Sequence, residues 1–92
     1  MARVVVTMKV MPESPNVDLD NLTKEILKKV KSFAGNTETK VQKEPIGFGL
    51  SSLKVQFVLD EQKSNLDPLE SSIRNIDGVN SVEIIDVRRA IG

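Results

Sequence analysis

Chemistry at neutral pH needs groups that give up or hold a proton, and this 92-residue chain is poor in them. It has no Cys and no His, and it also lacks Tyr and Trp. There is thus no thiolate nucleophile, no disulfide, no imidazole base, and no thiolate or imidazole metal ligand. An active site would have to be assembled from Asp, Glu, Lys, Arg, Ser and Thr, which removes most hydrolytic and redox designs. The adjacent carboxylates Asp60 and Glu61 are a weak divalent-cation pattern and are more simply a turn. Lys28, Lys29 and Lys31 fit a solvated helix face. These absences do not exclude catalysis, but no active site is evident, and neither metal nor cofactor is expected.

What the chain does offer is contact chemistry. Phe48 stands between Gly47 and Gly49 in the run Glu44-Pro45-Ile46-Gly47-Phe48-Gly49. Two readings are open. The ring folds back over the sheet edge while the glycines merely turn the chain, or it projects uncovered and fills a partner's pocket as an aromatic anchor. Ser51 and Ser52 follow closely, with hydroxyls suited to hydrogen-bonding a partner. Near the end, Arg88 and Arg89 are either solvated charges on a fraying terminus or cations aimed at an anionic site.

The elements that position these residues follow from periodicity. Arg3 to Met11 alternates, with Val4, Val6, Met8 and Val10 on one face, which predicts a half-buried strand ended by Pro12 and Pro15. From Asp18 to Phe33 the apolar residues Leu19, Leu22, Ile26, Val30 and Phe33 recur every three or four positions, so this segment is an amphipathic helix. Asp18 suits its N-cap, and Gly35 its end. Thr37 to Lys43 predicts a short strand, the Glu44–Gly49 run a loop, and Leu53 to Leu59 a strand. A second helix runs to Ile76 from Asn65 or Asp67. Asp67 and Glu70 have capping-box spacing, Pro68 suits the first helical position, and Leu66, Leu69, Ile73 and Ile76 form its apolar stripe. Val79 to Val87 predicts the last strand, with Val82, Ile84 and Asp86 on one face and Ser81, Glu83, Ile85 and Val87 on the other. Arg88 to Gly92 is then a tail.

The order β-α-β-β-α-β predicts an α+β, ferredoxin-like sandwich, a four-stranded antiparallel sheet with both helices on one face. Residues 1–92 suit one domain. Thirteen basic and thirteen acidic residues balance to zero net charge, without the basic excess that phosphate binding requires. With three Phe as its only aromatics, the chain has no base-stacking platform, so direct nucleic-acid binding is not expected. The apolar run Val4–Val6 is too short to span a bilayer, and Thr7 and Lys9 interrupt any leader core after Met1-Ala2-Arg3. A cytoplasmic protein without membrane attachment is expected, which makes the sequon Asn21-Leu22-Thr23 a chance match.

This fold hosts many functions, and composition trims the set. The central strands lack the aromatics of RNA-recognition domains, no Cys pair serves metal transfer, and Met11–Asn16 lacks the glycine-rich cradle of an acyl-phosphate hydrolase. A small regulatory amino-acid-binding domain survives, and it predicts dimerisation through the sheets.

Pro45-Ile46-Gly47-Phe48-Gly49-Leu50 followed by Leu53-Lys54-Val55-Gln56 resembles the guanine-nucleotide exchange domain of translation elongation factor 1-beta. Asp60-Glu61-Gln62-Lys63-Ser64-Asn65-Leu66-Asp67 is similar to that family's acidic turn and helix start, and Val79-Asn80-Ser81-Val82-Glu83-Ile84 to its last strand. The resemblance spans the chain, with residues 1–44 matching in pattern only, and the short length is similar to the archaeal members. It implies binding to the elongation factor 1-alpha GTPase, with GDP release accelerated so that GTP loads, and a monomer when free. It implies partner contacts by Phe48, with Gly47, Gly49 and Ser51 around it. It also places Arg89 where eukaryotic members insert a Lys toward the GTPase's metal and phosphate region. Arg in place of Lys is a departure, and Arg88 beside it shares the candidacy.

Overall fold

The structure is a computed structural model describing residues 3–35, 37–63 and 65–90. Met1, Ala2, Asn36, Ser64 and the last two tail residues, Ile91 and Gly92, lie outside the described residues. The elements run β1 (Arg3–Pro12), α1 (Leu19–Ala34), β2 (Thr39–Gly47), β3 (Leu50–Asp60), a 3₁₀ turn (Glu61–Lys63), α2 (Asp67–Arg74) and β4 (Val79–Ala90). The four strands form one antiparallel sheet in the order β2-β3-β1-β4, and with the two helices this is the ferredoxin-like α+β fold.

Alternation builds the core. Val4, Val6, Met8 and Val10 of β1 stand opposite Leu59, Phe57, Val55 and Leu53 of β3, and residues directly opposite one another share a face. All eight are buried, packed with Leu22, Ile26 and Val30 of α1 and Leu69 and Ile73 of α2. The other face of β1 carries Val5, Thr7 and Lys9.

Capping sets the helix ends. Asp18 Oδ1 accepts from the backbone N–H of Asp20 at 3.1 Å and of Asn21 at 3.3 Å, satisfying two of the orphan donors that open α1. Gly35, at φ 84°, donates to the Lys31 carbonyl and stops the helix. The capping box expected from Asp67 and Glu70 does not form, because Asp67 is already the first helical residue. Nor is Asn65 the cap: Leu66 takes that position without a side-chain bond, and Asn65 before it accepts from the Asp67 N–H at 3.3 Å. α2 stops at Arg74, short of Ile76, whose N–H closes a turn onto the Ile73 carbonyl.

Three strands are longer than their local pattern predicts. β2 continues through Glu44, Pro45 and Ile46 to Gly47, where a loop is expected, because β3 extends back to Leu50 and supplies the ladder. Pro45 is tolerated there because β2 is an edge strand. β4 takes in Arg88 and Arg89, so these are strand residues rather than tail, with Val5 and Val4 as partners. A register shift between Thr7 and Met8 leaves Ile85 as an extra residue in β4. Past this bulge the faces exchange. Asp86 lies opposite Thr7 on the uncovered face, not with Val82 and Ile84, and Val87 lies opposite Val6 on the helix side.

Candidate functional site

The β2–β3 hairpin turns on two residues. Gly47 pairs with Leu50, and Phe48 and Gly49 make the turn at φ 55° and φ 75°. Positive φ at both central positions is the signature of the type I′ turn, whose twist matches that of the flanking strands. Gly49 tolerates this freely, whereas Phe48 is the single described non-glycine residue at positive φ. The side chain at such a tip points away from both strands, and Phe48 is 98% exposed. Of the two readings of this ring, the one that folds it over the sheet edge is therefore excluded.

The tip exposes more than Phe48. The register shift between Pro45 and Gly47 leaves Ile46 as the extra residue of a bulge, 42% exposed. Sequence reasoning placed Ile46 in the motif but gave it no contact role. The available signal was an apolar residue set between Pro45 and the glycine-flanked Phe48. Gly49 lies against the β1–α1 connection, since a Cβ built on it would stand 3.5 Å from the Pro15 Cβ. Ser51, opposite Pro45, is half-buried beside the tip. Ser52 is buried, and its hydroxyl donates to the Glu44 carbonyl at 3.5 Å, so it is not available to a partner.

Arg88 and Arg89 lie at the opposite end of the sheet. β1 pairs Val10 with Leu53 and Val82 near the tip, but pairs Arg3 with Asp60 and Ala90 at the far end. Eleven residues of β3 separate the two ends, about 33 Å at ~3.3 Å per residue, in a molecule 42 Å along its longest axis. The structure thus brings Gly47, Phe48, Gly49 and Ser51 together and holds both arginines apart from them.

The two arginines also face different ways. Arg89, opposite Val4, is on the helix-covered side; Arg88, opposite Val5, is on the uncovered side. Each meets a carboxylate. Arg88 Nε donates to Asp86 Oδ2 at 2.9 Å, and Arg89 Nη2 donates to Glu61 Oε1. Both side chains remain largely exposed. Asp60 and Glu61 are therefore engaged with the protein itself, because Asp60 Oδ1 accepts from the Gln62 N–H at 3.0 Å while Glu61 holds Arg89. Nothing in the local sequence signals that Glu61, 28 positions earlier, is the partner of Arg89.

No group of three or more potential metal-ligating side chains occurs among the described residues. On the uncovered sheet face, Lys40, Gln42, Lys54 and Gln56 line a depression of about 90 Å³. Small-molecule pockets are usually larger, roughly 300 Å³ and above. No described helix is long and apolar enough to cross a membrane. The features that stand out are contact surfaces, a bare aromatic tip and a tethered cation.

Known proteins resemble this chain in fold and in sequence. A solved structure, the de novo designed protein Foldit4, superposes with a TM-score of 0.68 over 98% of both chains at 20% identity, a likeness of fold alone. Elongation factor 1-beta of Methanothermobacter thermautotrophicus is 44% identical over 89 residues, covering 97% of this chain and 98% of that protein. The protein of the same name from Methanosphaera stadtmanae is 40% identical over 89 residues, with the same coverage. The model of the EF-1 guanine nucleotide exchange domain matches residues 5–90. With near-complete coverage by the family model and by archaeal relatives, the chain belongs to the elongation factor 1 guanine-nucleotide exchange family.

Proposed function

We propose that this chain is the exchange factor for the elongation factor 1-alpha GTPase, releasing GDP so that GTP loads, by disturbing the site that holds Mg²⁺ and phosphate. The match to the exchange-domain family over residues 5–90 carries this reading. The structural features of the chain suit the task. Exchange makes and breaks no covalent bond, so a chain without Cys, His or Tyr is adequate. It requires contacts that favour the nucleotide-free GTPase over the GDP-bound one, and linkage then obliges the factor to weaken GDP by the same ratio.

In this reading Phe48 is the anchor. Gly47 and Gly49 give it freedom to project, and Ser51 supports the same patch. Arg89 is the cation that competes with Mg²⁺ for anionic groups. Arg88, on the other face, contributes long-range charge. With the two ends of the sheet about 33 Å apart, anchor and cation engage separate regions of one GTPase. The factor works in the cytoplasm as a monomeric single domain, without touching nucleic acid or membrane.

Calorimetric titration of the chain into nucleotide-free and GDP-bound elongation factor 1-alpha tests this. The expected result is tighter binding to the nucleotide-free form, by the same factor by which the chain raises the Kd for GDP. Equal affinity for the two forms overturns the proposal.

A further inference from the structure

We infer that Glu61 is a positioning residue, whose carboxylate holds the guanidinium of Arg89 ready for the GTPase. The inference rests on the exchange reading above and assigns a role to the acidic turn, which that reading leaves unused.

Two independent tethers act on Arg89. Its backbone lies in the β1–β4 ladder opposite Val4, next to the terminal pair of Arg3 and Ala90. Its side chain is caught by Glu61, in the turn that follows β3. The topology makes the meeting possible, because Arg3 pairs with Asp60 on one side and with Ala90 on the other. The ends of β3 and β4 are thus two strand spacings apart, about 10 Å. Asp60 fixes the start of the 3₁₀ turn by accepting from the Gln62 N–H at 3.0 Å, and this fixes where Glu61 stands.

The contact leaves most of the cation free. It uses Nη2 and Oε1, whereas a guanidinium has about five N–H donors in a rigid fork. The Arg89 side chain remains 66% exposed. One nitrogen of the fork is held, while the side chain as a whole stays open to solvent. A long side chain loses rotamer freedom when an interface immobilises it, so ordering it beforehand lowers the cost of binding. The Arg88–Asp86 pair is of a different kind. It joins neighbours two positions apart on one strand and points to the other face of the sheet.

The opposite sign is also physically reasonable, since a carboxylate that masks Arg89 would compete with the GTPase for it. Release of fluorescent GDP from elongation factor 1-alpha separates the two, using wild type, E61A, E61Q, R89A and the double variant E61A/R89A, each checked by thermal melting. Expected is release about three- to fivefold slower with E61A, the size of one exposed ion pair. E61Q, which keeps an acceptor oxygen, recovers most of the rate. E61A has no further effect in the R89A background, because Glu61 acts through Arg89. In the free chain, NMR of the Arg89 side chain shows a guanidinium ordered in wild type and mobile in E61A. Release by E61A as fast as or faster than wild type, or an additive loss on top of R89A, overturns the role of Glu61 alone. A wild-type chain that accelerates nothing overturns the exchange reading and this inference together.

Discussion

Phe48 offers a substitution whose effects on stability and on function have opposite signs. The residue sits at φ 55°, a left-handed conformation costing a side-chain-bearing residue about 1–2 kcal/mol. Its ring is 98% exposed, so the fold recovers almost none of that through packing. Phe48→Gly removes the clash at Cβ and adds about 0.4–1 kcal/mol of backbone entropy to the unfolded chain. The balance is a net stabilisation of roughly 0.5–1 kcal/mol. For a domain of this size that raises the Tm by about 2–8 °C. The same change deletes the aromatic anchor, and a buried hot spot contributes about 2 kcal/mol or more, so affinity for the GTPase falls by about 30-fold. Phe48→Ala separates the two effects: the left-handed strain remains and stability stays within about 0.5 kcal/mol, but the anchor is still lost. Thermal melting and GDP release on the same preparations read both signs. A lower Tm for Phe48→Gly would show that the ring packs on its own fold. Unchanged GDP release would show that the tip does not meet the GTPase.

Three further outcomes follow from the geometry. Phe57→Ala empties the centre of the core, where Phe57 is fully buried, and lowers stability by about 3–5 kcal/mol in urea unfolding. Asp18→Ala removes the acceptor for the Asp20 and Asn21 N–H groups and costs about 1 kcal/mol by the same measurement. Because Arg88 and Arg89 point to opposite faces, R89A slows GDP release at least about tenfold, the size of a charged interface contact. R88A stays within about threefold of wild type, as a peripheral surface charge should.

Much of this was legible because it is written in short-range patterns. The 2.0 and 3.6 periodicities place both helices and the strands β1, β3 and β4. Val4, Val6, Met8 and Val10 of β1 and Leu22, Ile26 and Val30 of α1 are buried as marked, whereas Thr7 and Ala34 are buried without being marked and Leu19 and Phe33 are only partly buried. Asp18 acts at the start of α1 through its side-chain oxygen, and Gly35 at its end through the positive φ that a residue without a Cβ adopts. The misses are tertiary. β2 runs through Pro45 because β3 supplies a ladder partner, which overrides local loop chemistry. The bulge at Ile85 is marked in the sequence only by the adjacent apolar pair Ile84-Ile85, which breaks the alternation, and the pairing with β1 shows which residue is extra. Arg88 and Arg89 are held in a strand by β1, whose first residues give no local hint of that pairing. For the candidate site, sequence located Phe48 and the arginines but not the exposure of the ring, the 33 Å separation at ~3.3 Å per residue, or the grip of Glu61 on Arg89. Each of these depends on which strands are neighbours.

Nucleotide exchange on elongation factor 1-alpha is tested most directly by GDP dissociation itself. The GTPase is loaded with fluorescent GDP, chased with excess unlabelled nucleotide, and mixed with increasing amounts of this chain. An exchange factor gives a release rate that rises with the concentration of the chain and saturates as the complex fills. A rate that stays at its intrinsic value at every concentration would contradict it.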